Sequence, residues 1–179
     1  MICLAIASPT GPLVLEASDN ALTGIRWGKP AGCEEGLADP LLQEAARQLA
    51  AYFDRRLRAF DLPLDPAGTP FQKRVQDALR RIPFGETSSY GEIARDLGSA
   101  ARAVGGACRA NPIPIVIPCH RVLATAGRMG GFSGGAGPVT KSWLLDLEQA
   151  RMPSSQPSLF QTAPETHLAK TLAGATRAG

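Results

Sequence analysis

The sequence predicts a two-part α/β chain of the α+β kind: a small N-terminal sheet-and-helix subdomain, then a mostly helical C-terminal subdomain. Three observations carry that expectation. The opening segment MICLAIASPTGPLVLEASDN reads as two short strands around a Pro9-Thr10-Gly11-Pro12 turn. In PLLQEAARQLAAYFDRRL the apolar residues recur at helical spacing. A Pro/Gly stretch, DLPLDPAG, then separates this front part from a run of helix-start patterns. The boundaries that follow are residues 1–62 for the first subdomain, 63–68 for a linker, 69–151 for the second subdomain and 152–179 for a C-terminal tail.

Each element has a local cause. After the strands, a polar stretch from Gly28 to Asp39 leads into the first helix, where Leu42, Ala45, Ala46, Leu49, Tyr52 and Phe53 share a face. Thr69-Pro70-Phe71-Gln72 opens the second helix with a threonine cap, proline at the first helical position and glutamine three residues after the cap. That helix runs through Val75, Ala78 and Leu79 and should stop before Pro83. Ser89-Tyr90-Gly91-Glu92 is a second capping box, opening a short helix through Ile93, Ala94 and Leu97. Gly98 should stop it and Ser99 should cap the next helix, AARAVGGACRA. Two short helices joined by a glycine-containing turn resemble a helix-turn-helix. The second is small on most faces, with one long cation, Arg102, in its first turn. Gly105 and Gly106 each cost about 1 kcal/mol relative to alanine inside a helix, so close approach to a DNA backbone or tight helix packing must favour them. No Asn or Gln stands on its early turns to read base edges.

Bulk properties bound the setting. At 179 residues, 44% hydrophobic and 20% charged, the chain can bury a proper core. No apolar run approaches the roughly 18 residues of a membrane span, and the N-terminus lacks the basic region of a signal peptide, so no membrane association and a cytoplasmic location are expected. Net charge is −3 over residues 1–70, +5 over 71–128 and +1 over 129–179. A basic middle is what a nucleic-acid face or a solvated helix surface produces. The four cysteines, Cys3, Cys33, Cys108 and Cys119, form no CxxC pair, and the only histidines are His120 and His167, so zinc-ligand spacing is missing. In a reducing compartment no disulfide is expected, and Cys3, Cys33 and Cys108 read as small buried hydrophobes.

Cys119 differs. It ends the apolar run NPIPIVIPCHRV, Asn111 to Val122, in which three prolines argue against an interior strand. A thiol becomes a nucleophile when a base or an electropositive site favours its thiolate. His120 follows directly, but neighbours on an extended segment point to opposite faces. The pair can cooperate only if the prolines and a turn redirect them or a water relays the proton. A third group should orient the histidine, and Glu148 is the best downstream candidate.

These residues carry a resemblance. NPIPIVIPCHRV resembles the active-site signature of the O6-alkylguanine-DNA alkyltransferases, and FQKRVQDALRRIPFGETSSYGEIARDLG, AARAVGGACRANP, GGFSGG and KSWLLDLE extend it in order over residues 69–150. Residues 1–60 match only in general layout. The resemblance implies repair of double-stranded DNA by stoichiometric, suicidal transfer of the alkyl group from O6-alkylguanine, and also O4-alkylthymine, to Cys119, with no cofactor and no metal. His120 would deprotonate Cys119 through a water, Glu148 would orient His120, and Asn111 would brace the turn. Tyr90 would crowd the 3′ phosphate and protonate the leaving guanine at N3. Arg102 would fill the place of the flipped base, with Tyr90, Ala101, Gly105 and Arg109 also on the DNA and the small helix in the minor groove. Phe132, Ser133, Val122, Cys108 and Pro114 would wall the substrate pocket. The protein would be a monomer able to associate cooperatively on DNA, and nucleoid-associated in a bacterium.

This chain departs from the family at three points. Gln76 stands where many members have tryptophan, the loop between Gly135 and Lys141 (AGPVT) is longer than usual, and residues 1–110 contain no histidine for the zinc site of some eukaryotic members. The tail, rich in Pro, Ser, Thr and Ala, reads as a flexible extension. Within it Gln156, Leu159 and Phe160 resemble the Gln-x-x-Leu-Phe peptide that docks on the bacterial sliding clamp, although the two apolar residues can equally pin the tail on its own domain. Two other classes compete with the enzyme. A non-catalytic alkylated-DNA sensor typically lacks the acceptor cysteine, and a Cys-His hydrolase would turn over on a DNA-free substrate.

Overall fold

The computed structural model describes residues 1–150. Strands β1 (Ile2–Ile6), β2 (Leu13–Ser18) and β3 (Ala21–Trp27) form an antiparallel meander, and β4 (Glu34–Glu35) adds in parallel to β1, giving the order β3-β2-β1-β4. The Pro-Thr-Gly-Pro segment makes the β1–β2 turn, with Ser8 and Thr10 hydroxyls bonded to each other at 3.0 Å. Sequence reading finds β1 and β2 but not β3, because Gly24 and Thr23 interrupt its apolar alternation. It also misses β4, two exposed glutamates whose pairing depends on the chain turning back along β1.

That return brings about a correction. Gly36 N–H donates to the Cys3 carbonyl at 2.7 Å, and the Cα atoms of Cys3 and Cys33 come within 5.9 Å, joined by a disulfide. The expectation of four free cysteines therefore fails at these two positions, and Cys108 and Cys119 are the free ones.

Helix α1 (Pro40–Phe53), capped by the Asp39 side chain on Leu42 N, lays Leu42, Ala45, Leu49 and Tyr52 on the sheet. The Pro/Gly segment is not a free linker. Leu22 N–H donates to the Pro63 carbonyl at 2.9 Å and Asp65 N–H to the Leu22 carbonyl at 3.0 Å, so it covers the open edge of β3. On the same edge Ile25 N–H donates to the Pro112 carbonyl at 2.9 Å, which ties the sheet to the segment carrying Cys119.

The second half contains α2 (Pro70–Arg80), α3 (Tyr90–Asp96), α4 (Ala101–Arg109) and α5 (Pro138–Leu147), with β5 (Ser88–Ser89) and β6 (Val122–Leu123) paired in parallel. Both capping boxes form, Thr69 with Gln72 and Ser89 with Glu92. Gly98, at φ +61°, closes α3 in the left-handed conformation that favours glycine. Ser99 does not cap α4: its N–H turns back to the Ala94 carbonyl, so the cap position falls one residue later on Ala100, which has no side-chain acceptor. The segment Gly135 to Lys141 is likewise not all loop, since Pro138 to Lys141 form the first turn of α5. Val75, Leu79, Val104, Ile113, Ile117 and Leu144 join Leu15, Leu22 and Leu49 in one core that crosses between the halves.

Thr69→Ala removes an exposed cap without touching that core, and should lower stability by about 1 kcal/mol in urea unfolding with an unchanged slope.

Candidate active site

The turn that presents Cys119 is built backbone first. Asn111 receives Ile113 N–H on Oδ1 at 3.2 Å and donates Nδ2 to the Ile117 carbonyl at 2.8 Å. Between them Ile117 N–H reaches the Ile113 carbonyl, and Ile115 is held at φ +75°. A β-branched residue there carries of order 1–3 kcal/mol of strain, sustained by the surrounding bonds. Pro118 then makes an inverse γ-turn (φ −83°, ψ 64°), with Cys119 N–H bonded to the Ile117 carbonyl. Cys119–Arg121 continue as one 3₁₀ turn. The segment is therefore not extended where the two residues stand, which answers the objection that neighbours diverge.

His120 is fully buried and its Nε2 lies 2.8 Å from Glu148 Oε1. Glu148, at the C-terminal cap of α5, accepts four further hydrogen bonds. Tyr52 donates its hydroxyl to Oε1 at 2.7 Å, Arg121 donates Nη2 to Oε1 and Nε to Oε2, both at 2.9 Å, and Gly85 N–H reaches Oε2 at 3.2 Å. Burial pushes this carboxyl up, but the bonds from His120 and Arg121 outweigh it and hold it down to about 2. Burial also pushes His120 below its ordinary value, against the pull of Glu148. A neutral imidazole beside an ionised carboxylate carries its proton on Nε2, where it donates to Glu148. Nδ1 is then the basic nitrogen, and it has no protein partner.

Cys119 is 6% exposed. Burial pushes its thiol up, opposed by a hydrogen bond from the Asn111 side chain and by the Lys141 charge. Lys141 is itself buried, donating Nζ to the Val122 carbonyl at 2.5 Å, and burial lowers its ammonium to about 8. Its Nζ sits 5.8 Å from the centre of the Tyr90 ring. Pairing of Ser88 with Val122 and Ser89 with Leu123 brings Tyr90, the first residue of α3, beside the Cys119 turn. Burial, then Cys108 and Cys119, raise the Tyr90 phenol to about 12.

Cys119 opens on a cavity of about 830 Å³ lined by Tyr90, Arg102, Gly105, Gly106, Cys108, Arg109, Gly131, Phe132 and Ser133. Of the residues read from sequence, Val122 and Pro114 are buried outside this lining, and Ala101 is exposed on α4 beside Arg102. Packing does not require the two α4 glycines: a Cβ on Gly106 would meet nothing within 4 Å, and one on Gly105 only Tyr90 Cε1 at 4.0 Å. Gln76 is buried and donates to the Ala67 carbonyl at 3.3 Å. Gln156, Leu159 and Phe160 lie outside the described residues. Among the described residues no group of three or more His, Cys, Asp or Glu side chains suits a metal ion, and no helix is long and apolar enough to cross a membrane. Sequence reasoning missed Tyr52, Arg121 and Lys141. Two of these stand in quoted motifs, but a charged residue in a sequence gives no sign that it is buried.

Two family descriptions fit the chain: "6-O-methylguanine DNA methyltransferase, ribonuclease-like domain" over residues 1–66 and "6-O-methylguanine DNA methyltransferase, DNA binding domain" over residues 70–150. The methylated-DNA–protein-cysteine methyltransferase of Mycobacterium tuberculosis is 44% identical over 163 residues, covering 83% of this chain and 93% of the relative. That of Methanosarcina barkeri is 45% identical over 151 residues, covering 80% and 94%. The crystal structure of M. tuberculosis OGT in complex with DNA matches with a TM-score of 0.75 at 43% identity, covering 87% of this chain and 97% of that one.

Breaking the buried network by Glu148→Ala should cost about 3–5 kcal/mol in urea unfolding, because Arg121 loses its counter-charge. Both His120 and Glu148 have depressed folded-state values, so the unfolded chain binds the extra protons on acidification. Wild-type stability should therefore fall as pH drops below 6.5, and more steeply from 4.5 toward about 2. In Glu148→Ala the steep limb below 4.5 should flatten.

Proposed function

This chain belongs to the 6-O-methylguanine DNA methyltransferase family, and from that premise we propose that it repairs double-stranded DNA by moving the alkyl group of O6-alkylguanine, and of O4-alkylthymine, onto Cys119. The single observation that carries this reading is a free, buried thiol at the floor of a nucleotide-sized cavity, next to a neutral, carboxylate-oriented histidine. The S–C bond forms as the O6–C bond breaks, and the electron pair leaves on the guanine. No group restores the thiol, so one protein molecule accepts one alkyl group.

The resting thiol is protonated, as its burial favours. His120 Nδ1 takes the proton, with a water molecule as relay since the two side chains make no direct hydrogen bond. Glu148 holds the ring and favours the imidazolium that forms. Asn111 and Lys141 favour the thiolate, the first by its hydrogen bond and the second by its charge. Tyr90, a phenol kept protonated and facing the same cavity, supplies a proton to the leaving base at N3.

On the DNA side, α3, the turn and α4 act as a helix-turn-helix lying in the minor groove. Its small face lets the backbone approach, with Ala101 and Gly105 against the duplex, and Arg102 and Arg109 stand at the mouth of the cavity. Arg102 takes the place of the extruded base, compensating part of the few kcal/mol that flipping costs. The free Cys119 argues against a sensor, and the family's DNA-binding half argues against a hydrolase. The protein works as a monomer, able to associate cooperatively along DNA. Gln156, Leu159 and Phe160 tether it to the sliding clamp on the strength of their sequence pattern. A tail peptide that fails to bind purified clamp at high micromolar concentration would remove that last element.

Intact-mass spectrometry after incubation with a duplex holding one O6-methylguanine should show one added methyl, mapped to Cys119 and absent in Cys119→Ala. Binding without mass gain would place the chain among the sensors. Arg102→Ala should slow transfer from the duplex by about tenfold or more while leaving transfer from the free base unchanged.

A further inference from the structure

The chemistry above gives the N-terminal sheet no part in the pocket, yet one of its side chains backs the pocket wall. Trp27 ends β3, and its ring meets Phe132 edge to face, with centroids 6.2 Å apart and planes at 82°. Like Tyr90, Phe132 lines the Cys119 cavity. Beyond it the chain runs flat against the same indole. A Cβ on Gly134 would come within 2.5 Å of Trp27 Cζ3 and 2.7 Å of Cη2, and one on Gly135 within 3.0 Å of Nε1.

The indole is itself fixed. Nε1 donates to Thr10 Oγ1 at 3.2 Å, and Thr10 is held by Ser8 in the β1–β2 turn. The far end of the wall is pinned as well: Gly137 N–H donates to the Gly134 carbonyl at 2.9 Å and Ala136 N–H to Thr140 Oγ1 at 2.9 Å. Phe132 therefore has a rigid surface behind it and cannot withdraw from the cavity unless Trp27 moves.

The geometry points to Trp27 as a specificity-determining positioning residue: by backing the wall from Phe132 to Gly135 it sets the largest O6 substituent that the Cys119 cavity admits. This rests on the alkyl-transfer reading. Small substituents use the cavity as it stands, whereas bulky ones need the wall to give.

The test compares wild type, Trp27→Ala and Trp27→Phe as full chains. Rate constants for alkylation of Cys119 are measured by mass spectrometry on duplexes carrying O6-methylguanine or O6-benzylguanine. Trp27→Ala should raise the benzyl-to-methyl rate ratio by about tenfold, the scale on which an apolar pocket discriminates size. Trp27→Phe, which keeps a ring behind Phe132, should stay within about twofold of wild type. Thr10→Val releases the indole without opening a cavity and should shift the ratio in the same direction by a smaller amount, so the comparison survives if Trp27→Ala fails to fold. An unchanged ratio in Trp27→Ala and Thr10→Val, or a parallel fall of both rates, would overturn the proposal and leave Trp27 as packing alone. Absence of transfer by the wild-type chain on both duplexes would overturn the underlying reading, and this one with it.

Discussion

One buried carboxylate organises this protein. Glu148 accepts hydrogen bonds from Tyr52 on α1, Gly85 in the turn before β5, and His120 and Arg121 in the turn that carries Cys119. An ionised carboxyl without such donors would be too costly to bury, so these elements are assembled together or not at all. The same five bonds have two effects. They join the sheet-bearing half to the helical half, and they fix His120 in the tautomer that leaves Nδ1 basic.

Around that anchor the acceptor is kept quiet until a substrate arrives. The resting Cys119 is a buried thiol with its pKa raised, not a standing thiolate, which suits a group that can react only once. Lys141 and Asn111 favour the charged form, but burial opposes them until the proton has a destination. The strain at Ile115 and the γ-turn at Pro118 show what aiming the thiol requires: a backbone path that an ordinary strand or helix would not supply.

What could be read from sequence divides by range. The caps at Thr69 and Ser89 depend on residues three apart and were legible, as was the stop at Gly98. Ser99 fits the cap pattern, but the turn extends one residue further than that pattern suggests. Chemistry alone singles out Cys119, His120 and Glu148 as candidates, and the ordered family motifs strengthen them, since a cysteine beside a histidine says little alone. The Cys3–Cys33 disulfide, the burial of Arg121 and Lys141, and the seat of Trp27 were not legible. Each depends on segments brought together from far along the chain: β4 returning to β1, α5 closing on β6, and the glycine segment before α5 packing on the end of β3.

The contact of Trp27 with Gly134 and Gly135 also bears on how such a protein can be recombined. The break near residues 63–68 looks like a seam for exchanging front halves between relatives. Yet the indole fits because position 134 has no Cβ, and a Cβ at position 135 would crowd it at 3.0 Å. A front half bearing this tryptophan, grafted onto a helical half with alanine at position 134, would drive a methyl group into the ring at 2.5 Å. The two halves are therefore matched across their interface, a large residue on one side facing positions without a side chain on the other.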